Sequence, residues 1–161
     1  MSDSSTHLIG LISDTHGMVR PDVHTALAGV ELILHAGDVG DDDILDELET
    51  IAPVRAVRGN TDAPGRPRLP EAIDLEVGGV RIHVSHGHET GAPTPDKLFA
   101  RYDADVIVYG HSHKQSITTR DGRWAVNPGA AGARRFDLLP SLALMTIRDR
   151  EIAVEIVELA I

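Results

Sequence analysis

The sequence predicts an α/β fold with a partly parallel sheet, built as a single domain over residues 1–161. Short apolar runs alternate with amphipathic runs from residue 8 onward, which is typical of alternating strands and helices. The length fits one hydrophobic core, because a single core usually serves about 100 to 200 residues. The composition, 42% hydrophobic residues with mixed charges and no Cys, excludes a disordered chain and a disulfide scaffold.

The first part of the chain predicts three buried strands separated by two helices. Pro21 suits the first turn of a helix, and apolar residues at helical spacing follow it. The acids at 41–43 stand where the second helix begins, and we interpret them as partners of the helix dipole rather than metal ligands. Residues 1–6 are expected to form a flexible N-terminus. The predicted strands are residues 8–13, 31–35 and 53–57.

The second part predicts a hairpin, one helix, a short buried strand and a C-terminal group of strands. Gly78-Gly79 joins the two hairpin strands, and Thr94-Pro95 is a typical helix start. The hairpin strands are residues 73–77 and 80–85, and the buried strand is residues 106–109. The C-terminal strands, which we expect to be antiparallel, are residues 115–119, 124–126, 141–147 and 152–157.

Polar side chains stand directly after five of the predicted strands. The carboxyl ends of parallel strands meet at one edge of a sheet, where ligands bind, so we expect these side chains to converge. A single Gly-Asp step is mostly a turn, whereas five such motifs in succession favour a site. In order they are Asp14-Thr15-His16, Gly37-Asp38, Gly59-Asn60-Thr61-Asp62, His86-Gly87-His88 and Gly110-His111-Ser112-His113.

Seven of these residues are candidate metal ligands. Carboxylate, amide and imidazole groups without thiolates suit borderline divalent metals. Seven are too many for one tetrahedral ion and suit two ions that share a bridging carboxylate. The seven are Asp14, His16, Asp38, Asn60, His86, His111 and His113. Four other histidines lie outside the motifs, and we interpret them as surface or packed structural residues: His7, His24, His35 and His83.

These motifs, in this order, resemble those of the calcineurin-like metallophosphoesterase superfamily over residues 8–147. The short length, Ser85-His86-Gly87-His88 and Asn127-Pro128-Gly129 resemble the small YfcE-type phosphodiesterase branch, whose relatives include the retromer metallophosphoesterase-like subunit. The resemblance implies a four-layer αββα sandwich with mixed sheets and helices on both outer faces. It also implies a dinuclear metal site at the carboxyl ends of the strands.

The resemblance implies a role for each motif residue. Two divalent ions are expected, Mn first, with Ni, Zn, Fe, Co or Mg as alternatives, and a hydroxide between them would attack phosphorus directly. One ion would be held by Asp14, His16, Asp38 and His113, and the other by Asp38, Asn60, His86 and His111, with Asp38 bridging. The implied catalytic residues are Asp38, Asn60, Asp62 and His88. The implied substrate-binding residues are Asn60, His88 and Arg135.

Two positions leave alternatives open. Many members of the superfamily carry a His that protonates the leaving oxygen where this chain has Thr61. His88 is then either the replacement acid or a residue that supports a ligand or contacts substrate. Arg135 either reaches a substrate phosphate or is a solvated surface residue.

The predicted function is hydrolysis of small phosphodiesters by a cytoplasmic enzyme. A formal net charge of −10 argues against nucleic acid as a partner, and the apolar N-terminal run is too short for a signal or membrane segment. A phosphomonoesterase on the same site remains open, as does homo-oligomerisation through the C-terminal strands. A third alternative is a non-catalytic protein-interaction scaffold of the retromer-subunit type, which a large exposed apolar patch would favour.

Overall fold

The computed structural model describes residues 5–133 and 138–159, and within them ten strands form two five-stranded mixed sheets. The strands are β1 (Thr6–Ile12), β2 (Leu32–His35), β3 (Val54–Ala56), β4 (Ala72–Val77), β5 (Val80–Ser85), β6 (Val106–Val108), β7 (Ser116–Arg120), β8 (Arg123–Asn127), β9 (Ser141–Arg148) and β10 (Glu151–Glu158). The helices are α1 (Pro21–Ala26), α2 (Asp42–Glu49) and α3 (Pro95–Arg101), with a 3-10 turn at His88–Thr90.

Sheet A has the order β10-β9-β1-β2-β3, and sheet B has the order β4-β5-β6-β8-β7. In sheet A the pairs β1·β2 and β2·β3 are parallel, while β9 pairs antiparallel with both β1 and β10. In sheet B the pairs β5·β6 and β6·β8 are parallel, and the edge strands β4 and β7 are antiparallel to their neighbours. Sheet B therefore has a parallel centre, whereas sheet A is parallel from its central strand β1 to its edge strand β3.

The two sheets enclose the main core, and the helices cover their outer faces. Leu11 of sheet A and Val108 of sheet B are fully buried in the same apolar cluster, and burial of such side chains contributes about 1.5–3 kcal/mol each. A second cluster lies between sheet A and helices α1 and α2, where Leu27 and Leu48 are buried. A third cluster places α3 against sheet B through Leu98. The predicted four-layer sandwich is confirmed.

The predicted strands are all present, and three details differ from the sequence predictions. Strand β1 begins at Thr6, so this residue belongs to the sheet and not to the expected flexible N-terminus; residues 1–4 lie outside the described ranges. Helix α1 ends at Ala26 and is followed by a turn over residues 27–29, whose last residue, Gly29, has a left-handed φ of 92°. Val30, at helical spacing from Val23, therefore lies beyond the helix, where it is buried. Strand β8 pairs parallel with β6 and antiparallel only with β7.

Both sheets contribute to one polar end of the sandwich. His86 follows β5 of sheet B, and its Nδ1 donates to the carbonyl of Ala36, which follows β2 of sheet A, at 2.8 Å. Our expectation placed the motifs at the shared edge of one sheet; instead the loops of two packed sheets meet. None of the helices in the described ranges is long and apolar enough to cross a membrane.

Candidate metal centre

The backbone at this end is left-handed at most of the predicted ligands. Positive φ is uncommon for residues with a side chain and persists where surrounding contacts hold it. Here it occurs at Asp14 (54°), His16 (46°), Asp38 (56°), His111 (75°) and His113 (65°). In the described part of the chain, the other non-glycine residues with positive φ are Asp121, Asp149 and Arg150, which lie in turns between strands. The strain is therefore concentrated at the predicted site.

Backbone hydrogen bonds hold the loops after β1 and β2 side by side. The N–H of Asp14 donates to Gly37 O, and the N–H of His16 donates to Asp38 O, both at 2.9 Å. These bonds continue the parallel pairing of β1 and β2 past the ends of the strands. As a result, the carboxylates of Asp14 and Asp38 are fixed relative to each other.

The Asp14 carboxylate is oriented through one oxygen and leaves the other facing the site. Its Oδ2 accepts hydrogen bonds from Ser13 Oγ at 2.6 Å and from the His111 N–H at 3.2 Å. Its Oδ1 is buried and has no hydrogen-bond partner among the described residues, yet lies 3.4 Å from His113 Nε2. Burial opposes ionisation, but His113, His16 and Ser13 outweigh it and hold the pKa of Asp14 well below its usual range.

Asp38 lies between imidazoles from different loops. Its Oδ1 accepts the Thr61 N–H at 2.9 Å, and its Oδ2 lies 3.2 Å from His86 Nε2 and 3.6 Å from His16 Nε2. Burial raises the pKa of Asp38, but the interaction with His86 outweighs it and the pKa falls to about 2. Asp38 is therefore an ionised carboxylate in contact with both His16 and His86.

His86 presents a nitrogen that suits a cation. Its Nδ1 is occupied by the bond to Ala36 O, and its fully buried Nε2 has no hydrogen-bond partner within the described ranges. Burial lowers the pKa of His86, but Asp38 and Asp14 outweigh it and raise the pKa above its usual value. A proton and a metal ion would therefore compete for this nitrogen, so we expect metal affinity to fall as pH falls.

The ligand atoms form two adjacent groups that fit divalent ions. One group is Asp14, His16 and His113, and the other is Asp38, His86 and His111; within each, the ligand atoms lie within 4.8 Å of one another. Asn60 Oδ1 adjoins the second group, 3.2 Å from His111 Nδ1. Bonds of about 2.0–2.2 Å to one ion place its ligands roughly 3–4 Å apart. The orphaned Asp14 Oδ1 and His86 Nε2, together with this spacing, fit such ions.

Comparison with known proteins identifies the family. The family model described as the calcineurin-like phosphoesterase superfamily domain matches residues 8–150. The chain belongs to this superfamily. It is 36% identical over 160 residues to a "Probable metallophosphoesterase" of Methanothermobacter thermautotrophicus, covering 93% of this chain and 91% of that protein. It is also 28% identical over 140 residues to a "Phosphodiesterase" of Methanocaldococcus jannaschii, covering 75% of this chain and 82% of the relative.

A solved structure of a different protein has the same fold. Vacuolar Protein Sorting 29 from Cryptosporidium parvum superposes with a TM-score of 0.79 at 24% identity, covering 96% of this chain and 98% of that chain. At this identity the likeness concerns the fold alone. The superfamily uses divalent metals, which agrees with the two ligand groups in this calcineurin-like domain.

The remaining predicted site residues have different positions. The His88 ring centroid lies 5.3 Å from that of His86 and 6.3 Å from that of His111. The carboxylate of Asp62, predicted to be catalytic, accepts the N–H groups of Val39, Gly40 and Gly59 at 2.9–3.1 Å. Asp62 thus joins the loops after β2 and β3 rather than facing the ligand groups. Arg135 lies outside the described residues.

His35, predicted to be a surface or packed structural His, is packed, and it also supports the site. It is fully buried, and because Gly37 N–H donates to its Nδ1, its Nε2 carries the proton and donates to Thr15 Oγ1 at 2.9 Å. The Thr15 hydroxyl in turn donates to Val39 O at 2.8 Å. These hydrogen bonds connect the two loops that carry Asp14 and Asp38. The available signal was a His at the end of a buried strand, directly before Ala-Gly-Asp.

The burial of His35 predicts a pH-dependent stability. Burial lowers the pKa of His35 from 6.5 to about 4, so the unfolded chain binds more protons than the folded protein between those values. The stabilisation is complete above pH 6.5 and is lost as pH falls toward 4, by up to about 3 kcal/mol. Urea unfolding of metal-free protein at pH 7 and pH 5 measures this.

In the matched variant His35→Gln, the Gln amide N–H can replace the ring N–H as a hydrogen-bond donor, but the side chain does not titrate. We expect its unfolding free energy to change less between pH 7 and pH 5 than that of the original protein, by about 2 kcal/mol. The control is His24→Gln, which removes an exposed His paired with Glu47. Equal pH dependence of His35→Gln and the original protein would contradict the prediction.

Proposed function

We propose that the protein is a phosphodiesterase that hydrolyses small phosphodiesters at a centre of two divalent ions. The observation that carries this proposal is the Asp38 carboxylate, which lies 3.6 Å from His16 Nε2 in one ligand group and 3.2 Å from His86 Nε2 in the other. A carboxylate in that place can bridge two ions. The named phosphodiesterase among the relatives supports the diester preference.

The proposed ligand sets follow the two groups. Asp14, His16, Asp38 and His113 would hold one ion, and Asp38, Asn60, His86 and His111 the other. When bound, the ions would lower the pKa of a water so that it can attack phosphorus, and they would neutralise the phosphoryl oxygens. The oxygen and nitrogen donors of these ligand residues are compatible with Mn, our first expectation, and with Ni, Zn, Fe, Co or Mg.

The protein supplies charge, access and a proton at this centre. Ionised Asp14 and Asp38 set the negative charge that retains cations, and the His16 side chain, 32% exposed, leaves a solvent-facing side for substrate. The Asn60 amide can donate to a phosphoryl oxygen. His88 would donate a proton to the leaving oxygen as the P–O bond breaks, because the Thr61 hydroxyl is too weak an acid for this role. Arg135 stays a predicted substrate contact.

The overall charge favours small substrates. A formal net charge of −10 repels polyanions at long range, whereas a small diester carries a single negative charge and approaches more readily. Nucleic acid is therefore disfavoured as the substrate.

A comparison of two aryl esters tests the class of reaction. Metal-stripped protein titrated with Mn, Ni, Zn or Mg is assayed on bis(4-nitrophenyl) phosphate and on 4-nitrophenyl phosphate. We expect turnover only with added metal, and a kcat/KM at least about tenfold higher for the diester. A higher kcat/KM for the monoester would show that the protein is a phosphomonoesterase, and the proposed diester preference would be wrong.

A non-catalytic scaffold is the second candidate, favoured by the shared fold with Vacuolar Protein Sorting 29. Two observations count against it. A scaffold has no physical need for two intact ligand groups, and the exposed large apolar side chains in the described ranges are Met18 and Ile117, at 39% each. If no metal restores turnover although metal still binds, the scaffold becomes the better account.

A further inference from the structure

Residues 87–93, here called the His88 loop, carry one imidazole to the edge of the metal centre. Glu89 in this loop makes two hydrogen bonds in different directions. Its Oε1 accepts the Gly87 N–H at 2.9 Å, and its Oε2 accepts the Tyr102 hydroxyl at 2.7 Å. Tyr102 directly follows helix α3, so one carboxylate connects the residue before His88 to the helix layer.

The Tyr102 ring is itself held in place by sheet B. It stacks on His83 of strand β5, with ring centroids 3.7 Å apart and an interplanar angle of 22°. His83 is 4% exposed, and its Nδ1 lies 2.9 Å from Asp74 Oδ1 on strand β4. The hydroxyl that reaches Glu89 is therefore fixed by sheet B, and it cannot shift without disturbing that stack.

The charge states of the pair agree with this geometry. Burial, followed by Glu89, raises the pKa of the Tyr102 hydroxyl, which therefore stays protonated and donates. Burial opposes ionisation of Glu89, but the Tyr102 hydroxyl outweighs it and lowers the pKa of the carboxyl. A neutral phenol bound to a carboxylate makes a short, strong hydrogen bond.

The loop has further contacts that limit its movement. Gly87 has a left-handed φ of 101°, and a Cβ there would lie 3.0 Å from Pro93 Cβ at the other end of the loop. Lys97 Nζ of helix α3 donates to the Ala92 carbonyl at 2.9 Å. His88 is thus carried by a closed loop tied to α3, while its buried Nδ1 has no hydrogen-bond partner in the described part of the chain. The loop, rather than a bond to the ring, sets where the imidazole lies.

We propose that Glu89 and Tyr102 are positioning residues that hold the His88 imidazole beside the metal centre for proton transfer to the leaving oxygen. This inference rests on the phosphodiesterase function proposed above. Neither residue belongs to the ligand groups, so their loss should leave metal binding intact. Proton donation matters most for poor leaving groups, so the effect of losing the anchor grows with leaving-group basicity.

The test compares two diesters that differ only in the leaving phenol, methyl 4-nitrophenyl phosphate and methyl phenyl phosphate. Tyr102→Phe keeps the ring on His83 and removes the hydroxyl. We expect its kcat to fall less than about threefold on the nitrophenyl ester and about tenfold or more on the phenyl ester, with unchanged bound metal. Glu89→Gln should behave alike. The control, Asp96→Asn, breaks the α3 ion pair with Arg120 and should change neither rate.

Two outcomes would overturn the proposal: an equal loss on both esters, which indicates general disruption, or no loss on either. A second readout does not depend on catalysis. In NMR spectra of metal-free protein, Tyr102→Phe should shift the His88 ring resonances more than those of His24, which lies on helix α1. Unchanged His88 resonances would also refute the positioning role. If the original protein hydrolyses no ester with any metal, the proposed function fails while this spectrum still decides the positioning.

Discussion

Replacement of Asp38 with Ala is expected to abolish metal-dependent turnover. The change removes the carboxylate that contacts His16 and His86, and it leaves the Thr61 N–H without its acceptor. Metal ions supply several kcal/mol of transition-state stabilisation, and each 1.4 kcal/mol is tenfold in rate. We therefore expect kcat to fall by about 10³-fold or more, and bound metal to fall from two ions toward one or none, measured by mass spectrometry of the metal content.

Asp43→Ala is the matched control for this loss. Asp43 is an exposed acid in the first turn of α2, so its replacement removes the same charge from the neighbouring helix without touching either ligand group. Its kcat and metal content should stay within about twofold of the original values, because substitutions at exposed positions usually change the free energy of unfolding by less than about 0.5 kcal/mol. An Asp38→Ala protein that retains the original rate would refute the ligand assignment.

Gly59→Ala is expected to disrupt the metal centre although it changes no ligand. A Cβ at position 59 would lie 2.1 Å from Asp38 Oδ1 and 2.2 Å from the Asp38 nitrogen. The Asp38 backbone cannot move easily, because its carbonyl accepts the His16 N–H. We expect displacement of Asp38, a loss of about 1–3 kcal/mol in unfolding free energy, and metal affinity reduced by about 10-fold to 100-fold.

The control separates this effect from loss of stability alone. A Cβ at Gly10 would lie 2.5 Å from Leu27 Cδ2, the end of a flexible side chain in the outer core of sheet A. Gly10→Ala should lower the melting temperature while leaving metal affinity, measured by calorimetric titration, unchanged. Metal affinity in Gly59→Ala equal to that of the original protein would contradict the proposed arrangement.

The sequence predicts the elements well because local patterns encode them. Buried strands such as β6 are continuous apolar runs, and Gly78-Gly79 encodes its hairpin locally. Strand partners are encoded less well. Strand β9 returns to sheet A beside β1, and β8 lies parallel to β6, because partner choice depends on core packing between distant segments. Apolar periodicity reports which face is buried, not which strand is adjacent.

The seven candidate ligands are predictable from their motifs, whereas their supports are not. The left-handed backbone at Asp14 and Asp38 follows from tertiary hydrogen bonds between two loops, which no local propensity reports. The roles of His35 and Asp62 depend on backbone N–H groups from other loops. The motif predicts a catalytic role for Asp62, two residues after Asn60, and only the fold shows that its carboxylate accepts N–H groups from neighbouring loops.

A centre of two metal ions bridged by Asp38 can be observed in crystals of Mn-loaded protein by anomalous diffraction at the Mn edge. We expect two anomalous peaks about 3.5–4 Å apart, one beside Asp14, His16 and His113 and the other beside His86 and His111, with Asp38 in contact with both. A single peak, or two peaks without a shared Asp38 carboxylate, would contradict the two-ion centre.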